Sequence, residues 1–308
     1  MESFNNFFDF QKRFSNNDTC RAYLEHLRWD GKVICPFCKS EKHYSFKDGR
    51  TYKCAECLKK YNVLIGSIFE NTKIELSKWF WAVYIASSHK KGISSAQLAR
   101  DIDVQQKTAW FMLHRIRESL RTKGSVFTKT VEIDETFVGG KETNKHLSKR
   151  KKKTTGRSTQ TKVPVLGILE RGGEVYAEAL PSLRSKTIYP IIEEKIAPGA
   201  EIMTDDFGGY VKLSGKYSHF VINHSEGSYG KGQIHTNTIE GFWSLLKRGI
   251  YGIYHFASPR HLNRYCGEFA FRYNTRGMND TQRFNVTIAR TFGKRLTYKW
   301  LTAKYNWE

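Results

Sequence analysis

The fold of the larger part of this chain is decided by residues 130–136, which read Thr-Val-Glu-Ile-Asp-Glu-Thr. Their β-branched residues favour a strand, and this strand has acidic residues near its end, shortly before Gly139-Gly140. Two further strands are predicted over residues 163–169 and 174–180, joined by a turn at Arg171-Gly172-Gly173. The stretch is therefore expected to begin a sheet whose first strands are antiparallel.

The segments that follow alternate between strand and helix patterns. A helix is predicted over residues 185–196, a short apolar strand over 201–206, a fifth strand over 217–223, and helices that begin near residues 237 and 259. Three antiparallel strands followed by crossovers that add more strands are the plan of an RNase H-like sheet. The sequence therefore predicts an α/β fold class, with an RNase H-like domain built on a mixed sheet over residues 128–284.

Three acids of this domain are expected to converge. Asp134 lies in the first strand, Asp205 at the end of the fourth, and Glu240 on the helix that opens at Thr236 or Asn237. In the predicted fold Asp134 and Asp205 lie side by side, and the helix places the Glu240 carboxylate next to them. Converging carboxylates repel one another unless cations lie among them. The set therefore favours two Mg²⁺ (or Mn²⁺) ions about 4 Å apart and cleavage of a phosphodiester.

Each of these assignments has a simpler alternative. Glu240 follows Asn237 by three residues, which resembles a capping box and needs no function. The strand-end acids could be ordinary turn residues. Asp205 is preferred to its neighbour because it lies nearer the last apolar pair of its strand. The acids that could replace members of the set are Glu132, Glu135 and Asp206.

Two Cys-x-x-Cys pairs, Cys35 with Cys38 and Cys54 with Cys57, are separated by fifteen residues. This spacing predicts one structural Zn²⁺ on four thiolates, in a zinc ribbon over residues 31–66. A redox function would need one such motif rather than two. The basic side chains that would allow the ribbon to contact DNA, a role the sequence leaves open, are Arg50, Lys53, Lys59 and Lys60.

A helix-turn-helix module is predicted over residues 72–122, with its turn at Asp103-Val104. Any helical hairpin has a similar pattern. The prediction that this module binds DNA therefore depends on the neighbouring zinc ribbon and on the basic charge of the chain. The residues of this module expected to contact DNA are Gln105, Gln106, Lys107, His114 and Arg115.

The remaining segments are a helical lead-in over residues 1–30, a basic loop over 141–162 and a C-terminal tail over 285–308. The loop is expected to be mobile and to order on nucleic acid, although a merely solvated charge run would have the same composition. The further residues expected to contact DNA are Lys149, Arg150, Lys151, Lys152 and Lys153 of the loop, and Arg248 of the helix that carries Glu240.

Composition limits the class of partner. The chain of 308 residues has a formal net charge of +21, which favours a polyanion, most simply nucleic acid. No apolar run approaches the ~20 residues of a membrane span, and the N-terminus lacks the pattern of a signal peptide. A cytoplasmic, nucleoid-associated protein without disulfides or membrane contact is therefore expected.

The ordered combination of motifs resembles a bacterial insertion-sequence transposase of the acid-triad (DDE) type with an N-terminal zinc ribbon. Besides the cysteine pairs, the motifs are Asp134–Lys141, Thr204-Asp205 with Tyr210, Asn223–Ser225, His235–Arg248 and Phe271–Asn274. By this resemblance Asp134, Asp205 and Glu240 are the implied metal-binding catalytic acids. Lys247, two turns beyond Glu240, is the implied accessory base and could hold a phosphate by charge.

The resemblance implies a function and a set of partners. Such a protein binds the terminal inverted repeats of its element, cuts the DNA by metal-dependent hydrolysis and joins the freed 3′-hydroxyl to target DNA. Two ends must be handled together, so a homodimer or a larger assembly is expected. Two alternatives are a zinc-ribbon and helix-turn-helix regulator without catalysis, and an RNase H-like nuclease that joins no strands.

Overall fold

The computed structural model describes residues 4, 6–122, 124–140, 142–150, 161–222 and 235–304. The chain divides into two compact units. The first contains Met1–Leu120 and Gly277–Lys304, and the second contains Arg121–Arg276.

Two helices open the first unit, as the helical lead-in predicts. They are α1 (Phe7–Arg13) and α2 (Asn17–Trp29). The side chains of Asn6 and Asn16 accept backbone N–H groups of the first turns, which caps both helices.

Three short strands form the ribbon: β1 (His43–Ser45), β2 (Tyr52–Cys54) and β3 (Lys60–Tyr61). They pair antiparallel in the order β1-β2-β3. Asp48 accepts the backbone N–H groups of Arg50 and Thr51, and Gly49 has a φ of +63°. The hairpin between β1 and β2 therefore turns at Asp48-Gly49.

Three helices follow the ribbon: α3 (Leu76–Ser88), α4 (Ser95–Asp101) and α5 (Gln106–Leu120). Ser94 caps α4 by accepting the N–H of Gln97, and Asp103 turns the chain with a φ of 50° before α5 begins. Two packed helices joined by a short turn agree with the predicted pattern. Their use as a helix-turn-helix stays a prediction.

The second unit is built on a five-stranded mixed sheet. Its strands are β4 (Thr130–Val138), β5 (Val163–Glu170), β6 (Val175–Ala179), β7 (Glu201–Asp205) and β8 (Ser218–Ile222). Their order across the sheet is β6-β5-β4-β7-β8. The first three strands pair antiparallel, whereas β7 and β8 add to β4 in parallel. All five predicted strands are present in this sheet.

Helices cover both faces of this sheet. One face carries α7 (Asn237–Gly249) and α8 (Pro259–Asn274), joined through a π-helical segment at Ile250–Tyr254. The other carries α6 (Ser185–Lys195) and the 3₁₀ segment Gly208–Gly215. Alternation along the strands divides the apolar residues between the two cores. In β5, for example, Val165 and Leu169 pack towards α7, and Leu166 and Ile168 pack towards α6.

Two C-terminal helices, α9 (Asp280–Ala289) and α10 (Tyr298–Thr302), belong to the first unit. Phe284 of α9 is fully buried and packs against the rings of Phe4, Phe10 and Phe80. The boundary predicted between residues 284 and 285 therefore lies inside α9. The residues beyond it pack with the N-terminal helices instead of forming a separate tail.

Within the described ranges, no helix has both the length and the apolar character needed to cross a bilayer.

Candidate active site and zinc site

Two strands of the second unit bring two acids together. Strands β4 and β7 run parallel with Glu132 opposite Met203, so the same register two residues further along places Asp134 beside Asp205. A step of two residues keeps side chains on the same face of a sheet. One carboxylate oxygen each of Asp134, Glu135 and Asp205 lies within 4.8 Å of the others. Asp206 is exposed, whereas Asp205 is buried in the strand.

The pKa of Asp134 shows the electrostatic character of this cluster. Burial, together with the neighbouring charges of Asp205 and Glu240, raises the pKa of Asp134 to about 6. Hydrogen bonds from the Trp243 indole and from the backbone N–H of Glu135 act in the opposite direction. The cluster therefore has an excess of negative charge that a cation would neutralise.

Glu135 joins the cluster although the sequence indicated it only as a substitute for one of the strand acids. Its side chain is buried, and its Oε2 accepts a hydrogen bond of 3.0 Å from the Tyr210 hydroxyl. The signal in the sequence was its position directly after Asp134. Side chains of consecutive strand residues start on opposite faces of a sheet. Here the two carboxylates nevertheless approach each other.

Glu240 lies in the first turn of α7 with an exposed side chain, and Thr236 Oγ1 donates to its carboxylate at 3.4 Å. Among the described residues, the group of acids within 4.8 Å of one another does not include it. Its charge nevertheless contributes to the raised pKa of Asp134. The structure therefore places the third predicted acid near the pair but outside the tight cluster.

Helix α7 is fixed to the sheet by Glu132, whose side chain is 0% exposed. Glu132 accepts a hydrogen bond of 2.9 Å from Thr238 Oγ1 and another of 2.9 Å from the backbone N–H of Ile239. A strand carboxylate thus caps the N-terminus of the helix and meets the positive end of its dipole. The predicted cap residue Asn237 is instead the first helical residue. Thr236, at the N-cap position, makes no side-chain cap hydrogen bond.

Arg171 balances the buried charge of Glu132. Its Nε donates to Glu132 at 2.7 Å, and a terminal nitrogen donates to the backbone oxygen of His235 at 2.6 Å. The same guanidinium therefore holds both the carboxylate and the chain just before the N-cap residue of the helix. A buried carboxylate with a charged partner and full hydrogen bonding is tolerated where an unpaired one would be strongly destabilising.

A second contact joins α7 to Asp134. Trp243 Nε1 donates a hydrogen bond of 2.8 Å to Asp134 Oδ2. The ring lies over Gly167, which faces Asp134 across the β4–β5 ladder. A Cβ atom on Gly167 would lie 2.5 Å from Trp243 Cζ2. Glycine is therefore required at this position for the helix to approach the sheet so closely.

Lys247 and Arg248 lie in the last turn of α7. Lys247 is half-buried and follows Glu240 by about two turns, so the two side chains lie on the same side of the helix. Arg248 is exposed, and its Nε donates to the backbone oxygen of Ser244 at 3.2 Å.

The residues predicted to contact DNA from the helical module have different environments. Gln105, Gln106 and Lys107 are exposed around the start of α5. Within the first unit, Gln106 donates to Ser95 Oγ at 2.8 Å, and Lys107 Nζ lies 5.1 Å from the centroid of the Tyr298 ring.

The prediction for Arg115 and His114 is corrected, because both side chains are buried inside the first unit. The Arg115 guanidinium donates to the backbone oxygens of Leu296 and Glu70, at 3.0 and 2.8 Å. Burial lowers the pKa of Arg115 to about 10. This arginine therefore ties the C-terminal segment to the helices and does not face solvent.

Only part of the predicted basic loop is described. Residues 142–150 form two short 3₁₀ turns, and Lys149 and Arg150 are exposed there. Arg150 donates to the backbone oxygens of Lys145 and Thr143. Lys151, Lys152 and Lys153 lie outside the described residues, as does the motif Asn223–Ser225.

The four cysteines of the ribbon fit a zinc ion. Cys35 and Cys57 have a Sγ–Sγ distance of 3.6 Å, and Cys38 and Cys54 one of 3.4 Å. Tetrahedral Zn–S bonds of about 2.3 Å place sulfurs about 3.8 Å apart. The backbone N–H of Cys57 donates to Cys54 Sγ and lowers the pKa of this thiol to about 6, which favours the thiolate that zinc requires.

Replacing one of these cysteines should remove the zinc. We expect purified protein to carry about one zinc per chain and Cys54→Ser to lose it, because three sulfurs leave the tetrahedral site incomplete. Elemental analysis of the dialysed protein measures this content. Cys20→Ala is the control, since this buried thiol lies in α2. Full zinc content in Cys54→Ser would contradict the assignment.

Removing the charge of Glu132 should weaken the attachment of α7. Glu132→Gln leaves Arg171 with a neutral partner and turns an amide N–H₂ towards donors. We therefore expect it to lower the free energy of unfolding by about 2–4 kcal/mol. Denaturant titration followed by tryptophan fluorescence measures the change. Asn237→Ala should change it by less than about 0.5 kcal/mol, because this exposed residue does not cap the helix. A larger loss of stability in Asn237→Ala than in Glu132→Gln would show that Asn237 caps the helix.

The chain matches two family models and is similar to known proteins. Residues 126–274 match the family model of the ISXO2-like transposase domain, and residues 15–60 match that of the transposase zinc-ribbon domain. An uncharacterized protein in transposable element ISH50 of Halobacterium salinarum is 29% identical over 251 residues, which span 78% of this chain and 85% of that protein.

A second relative covers a shorter part of the chain. An uncharacterized transposase-like protein of Haemophilus influenzae is 33% identical over 102 residues, which span 33% of this chain and 81% of that protein. The acid cluster lies within the range matched by the transposase domain model, and both cysteine pairs lie within the range matched by the zinc-ribbon model. The chain belongs to the insertion-sequence transposases that carry an N-terminal zinc ribbon.

Proposed function

We propose that this protein cuts and joins DNA strands at a divalent-metal site formed by Asp134, Asp205 and Glu240. The observation that carries the proposal is the pairing of Asp134 with Asp205 at adjacent parallel strands, beside a helix that presents Glu240. The order β6-β5-β4-β7-β8 supports an RNase H-like fold for this unit.

The donor set suits hard cations. Carboxylate oxygens are the ligands that Mg²⁺ and Mn²⁺ prefer, and two such ions would supply an activated oxygen nucleophile and charge stabilisation of the leaving oxygen. The raised pKa of Asp134 fits a site that is completed by positive charge. In this proposal Asp134 and Asp205 hold the cations from the sheet, and Glu240 does so from the helix.

Other residues of the second unit orient this site. The Trp243 indole fixes one oxygen of Asp134, which leaves the carboxylate a defined direction. Lys247, on the same side of α7 as Glu240, holds a phosphate of the bound strand by charge. Arg248 extends the positive surface at the end of the helix.

DNA contacts are proposed for both units. Gln105, Gln106 and Lys107, exposed at the start of α5, would bind the element ends as part of a helix-turn-helix, and the basic loop would hold flanking or target DNA. Since transposition handles two ends together, the acting form is proposed to be a dimer or a larger assembly. The net charge of +21 supports association with DNA in the cytoplasm.

The acid pair provides a direct test of this activity. Linear DNA that carries the sequences flanking the gene should be nicked and joined in Mg²⁺ or Mn²⁺. Asp205→Asn should lower the rate by roughly 10²-fold or more, because it removes one metal-binding charge. Gel analysis of labelled strands measures nicking and joining, and DNA affinity should change by less than about threefold.

Asp206→Asn is the matched control, since it removes the same charge from the exposed neighbour and should retain activity. Undiminished activity in Asp205→Asn would contradict the proposed role of this acid in metal binding. Nicking without joining would indicate a nuclease instead. DNA binding by the wild type without any cleavage would favour the regulator.

The pKa of Asp134 predicts a pH-dependent effect of Mg²⁺ on stability. The pKa of Asp134 is about 6 in the folded protein, compared with an ordinary value of 3.8. Above pH 6 the ionised carboxylate therefore destabilises the metal-free fold by up to about 3 kcal/mol. This destabilisation disappears as the pH falls through 6 towards 4, because the folded protein takes up the proton. Mg²⁺ should therefore raise the Tm by several degrees at pH 8 and by much less at pH 5.

Thermal unfolding in EDTA and in Mg²⁺ at the two pH values measures this increment. Asp205→Asn should shrink the increment at pH 8, because a ligand is lost and the pKa of Asp134 falls. An equal effect of Mg²⁺ at both pH values would show that the ion binds elsewhere.

A further inference from the structure

We propose that a cavity beside the acid cluster binds an unpaired nucleotide of the DNA strand that is cut. The cavity has a volume of about 790 Å³ and lies where β4 ends and α6 begins. Its size suits a nucleotide, since small-molecule sites measure roughly 300–1,000 Å³. The lining residues that carry the argument are Glu135, Phe137, Leu183, Arg184, Lys186 and Phe207. The inference rests on the proposed cleavage of DNA.

Two half-buried aromatic rings line this cavity, Phe137 and Phe207. The Phe207 ring is held edge-on to Tyr210, with centroids 5.5 Å apart. It also presses on Gly209, where a Cβ atom would lie 2.3 Å from Phe207 Cε1. These contacts limit the positions that the ring can take. Rigid aromatic faces are the usual platforms for unstacked bases, because every base has a π-face.

Two cations accompany the rings. Arg184 and Lys186 line the cavity with exposed side chains, and neither forms an ion pair within the described part of the chain. Aromatic surface beside unneutralised positive charge is complementary to a base that is attached to a phosphate. An apolar ligand would leave the charges unused, and a free inorganic anion would leave the rings unused.

Glu135 connects the cavity to the acid cluster. Its side chain lines the cavity, and one of its oxygens lies within 4.8 Å of oxygens of Asp134 and Asp205. A phosphodiester bound at those acids would therefore place its neighbouring nucleotide at the cavity mouth. A base within a duplex is stacked and cannot enter, so the occupant must be unpaired or turned out of the helix.

A binding assay tests this inference without cleavage. The probes are two duplexes, one blunt and one with a four-nucleotide single-stranded end that carries 2-aminopurine, both in Ca²⁺, which also binds carboxylates. We expect the full-length protein to prefer the overhang duplex by about tenfold and to change the 2-aminopurine fluorescence through stacking. Arg184→Ala combined with Lys186→Ala should abolish the preference, and its blunt-duplex affinity should stay within about threefold.

Two further variants separate the parts of the site. Phe207→Leu keeps an apolar side chain of similar size, so it should retain the fold while losing most of the fluorescence change. Lys129→Ala removes an exposed charge just before β4 begins and should behave as the wild type. The inference is overturned if the double variant keeps the overhang preference, or if the wild type has none.

The same measurements distinguish failure of this inference from failure of the proposed function. If the cavity does not bind nucleotides, the wild type still cleaves DNA in Mg²⁺ but shows no overhang preference that depends on Arg184 and Lys186. If the proposed cleavage is wrong, Mg²⁺ yields no products, whatever the probes show in Ca²⁺.

Discussion

The buried carboxylate of Glu132 is the contact on which the arrangement of the second unit depends. It lies on the central strand, is fully enclosed, and accepts hydrogen bonds from the first turn of α7 and from Arg171. A charge in this position is tolerated only if its partners are in place, because an unpaired carboxylate in the interior would be strongly destabilising. Attachment of the helix and satisfaction of the charge are therefore one event. Because α7 carries Glu240, Trp243 and Lys247, the same event sets the position of every predicted site residue on that helix.

Two acids on the same face of β4 have opposite roles because their surroundings differ. Glu132 has a guanidinium, a hydroxyl and a backbone N–H around it, whereas Asp134 has a second carboxylate beside it and a single indole donor from the helix. Burial raises the pKa of Asp134 to about 6 without a positive partner to reverse the effect. The first acid stabilises the fold and the second stores unfavourable electrostatic energy. In the proposed function, cations bound among these carboxylates would relieve this unfavourable energy.

The five strands and the proximity of Asp134 to Asp205 could be predicted, because strand patterns are local and strand-end acids follow them in the sequence. The role of Glu132 could not, since its partners Arg171 and Thr238 lie 39 and 106 residues away. Arg115 was misassigned for the same reason. An arginine on a helix usually faces solvent, but this one is buried and donates to the carbonyls of Glu70 and Leu296, 45 and 181 residues away. The close approach of Trp243 to Gly167 was equally hidden, because a glycine in a strand does not indicate which ring it admits. Composition and spacing identify the chemical groups, and the tertiary contacts decide which of them are structural.

The acids at the end of β4 make contacts on both faces of the sheet. Asp134 points towards α7, where Trp243 orients it, and Glu135 begins on the α6 side, where Tyr210 donates to it and the cavity opens. Oxygens of the two side chains still approach each other at the strand end, so the acid cluster includes side chains from both faces. A strand of DNA that crosses this edge would meet Lys247 on one face and the rings and cations around Phe207 on the other. In the proposed function, two consecutive acids at a strand end would allow one site to hold a phosphate between two differently built surfaces.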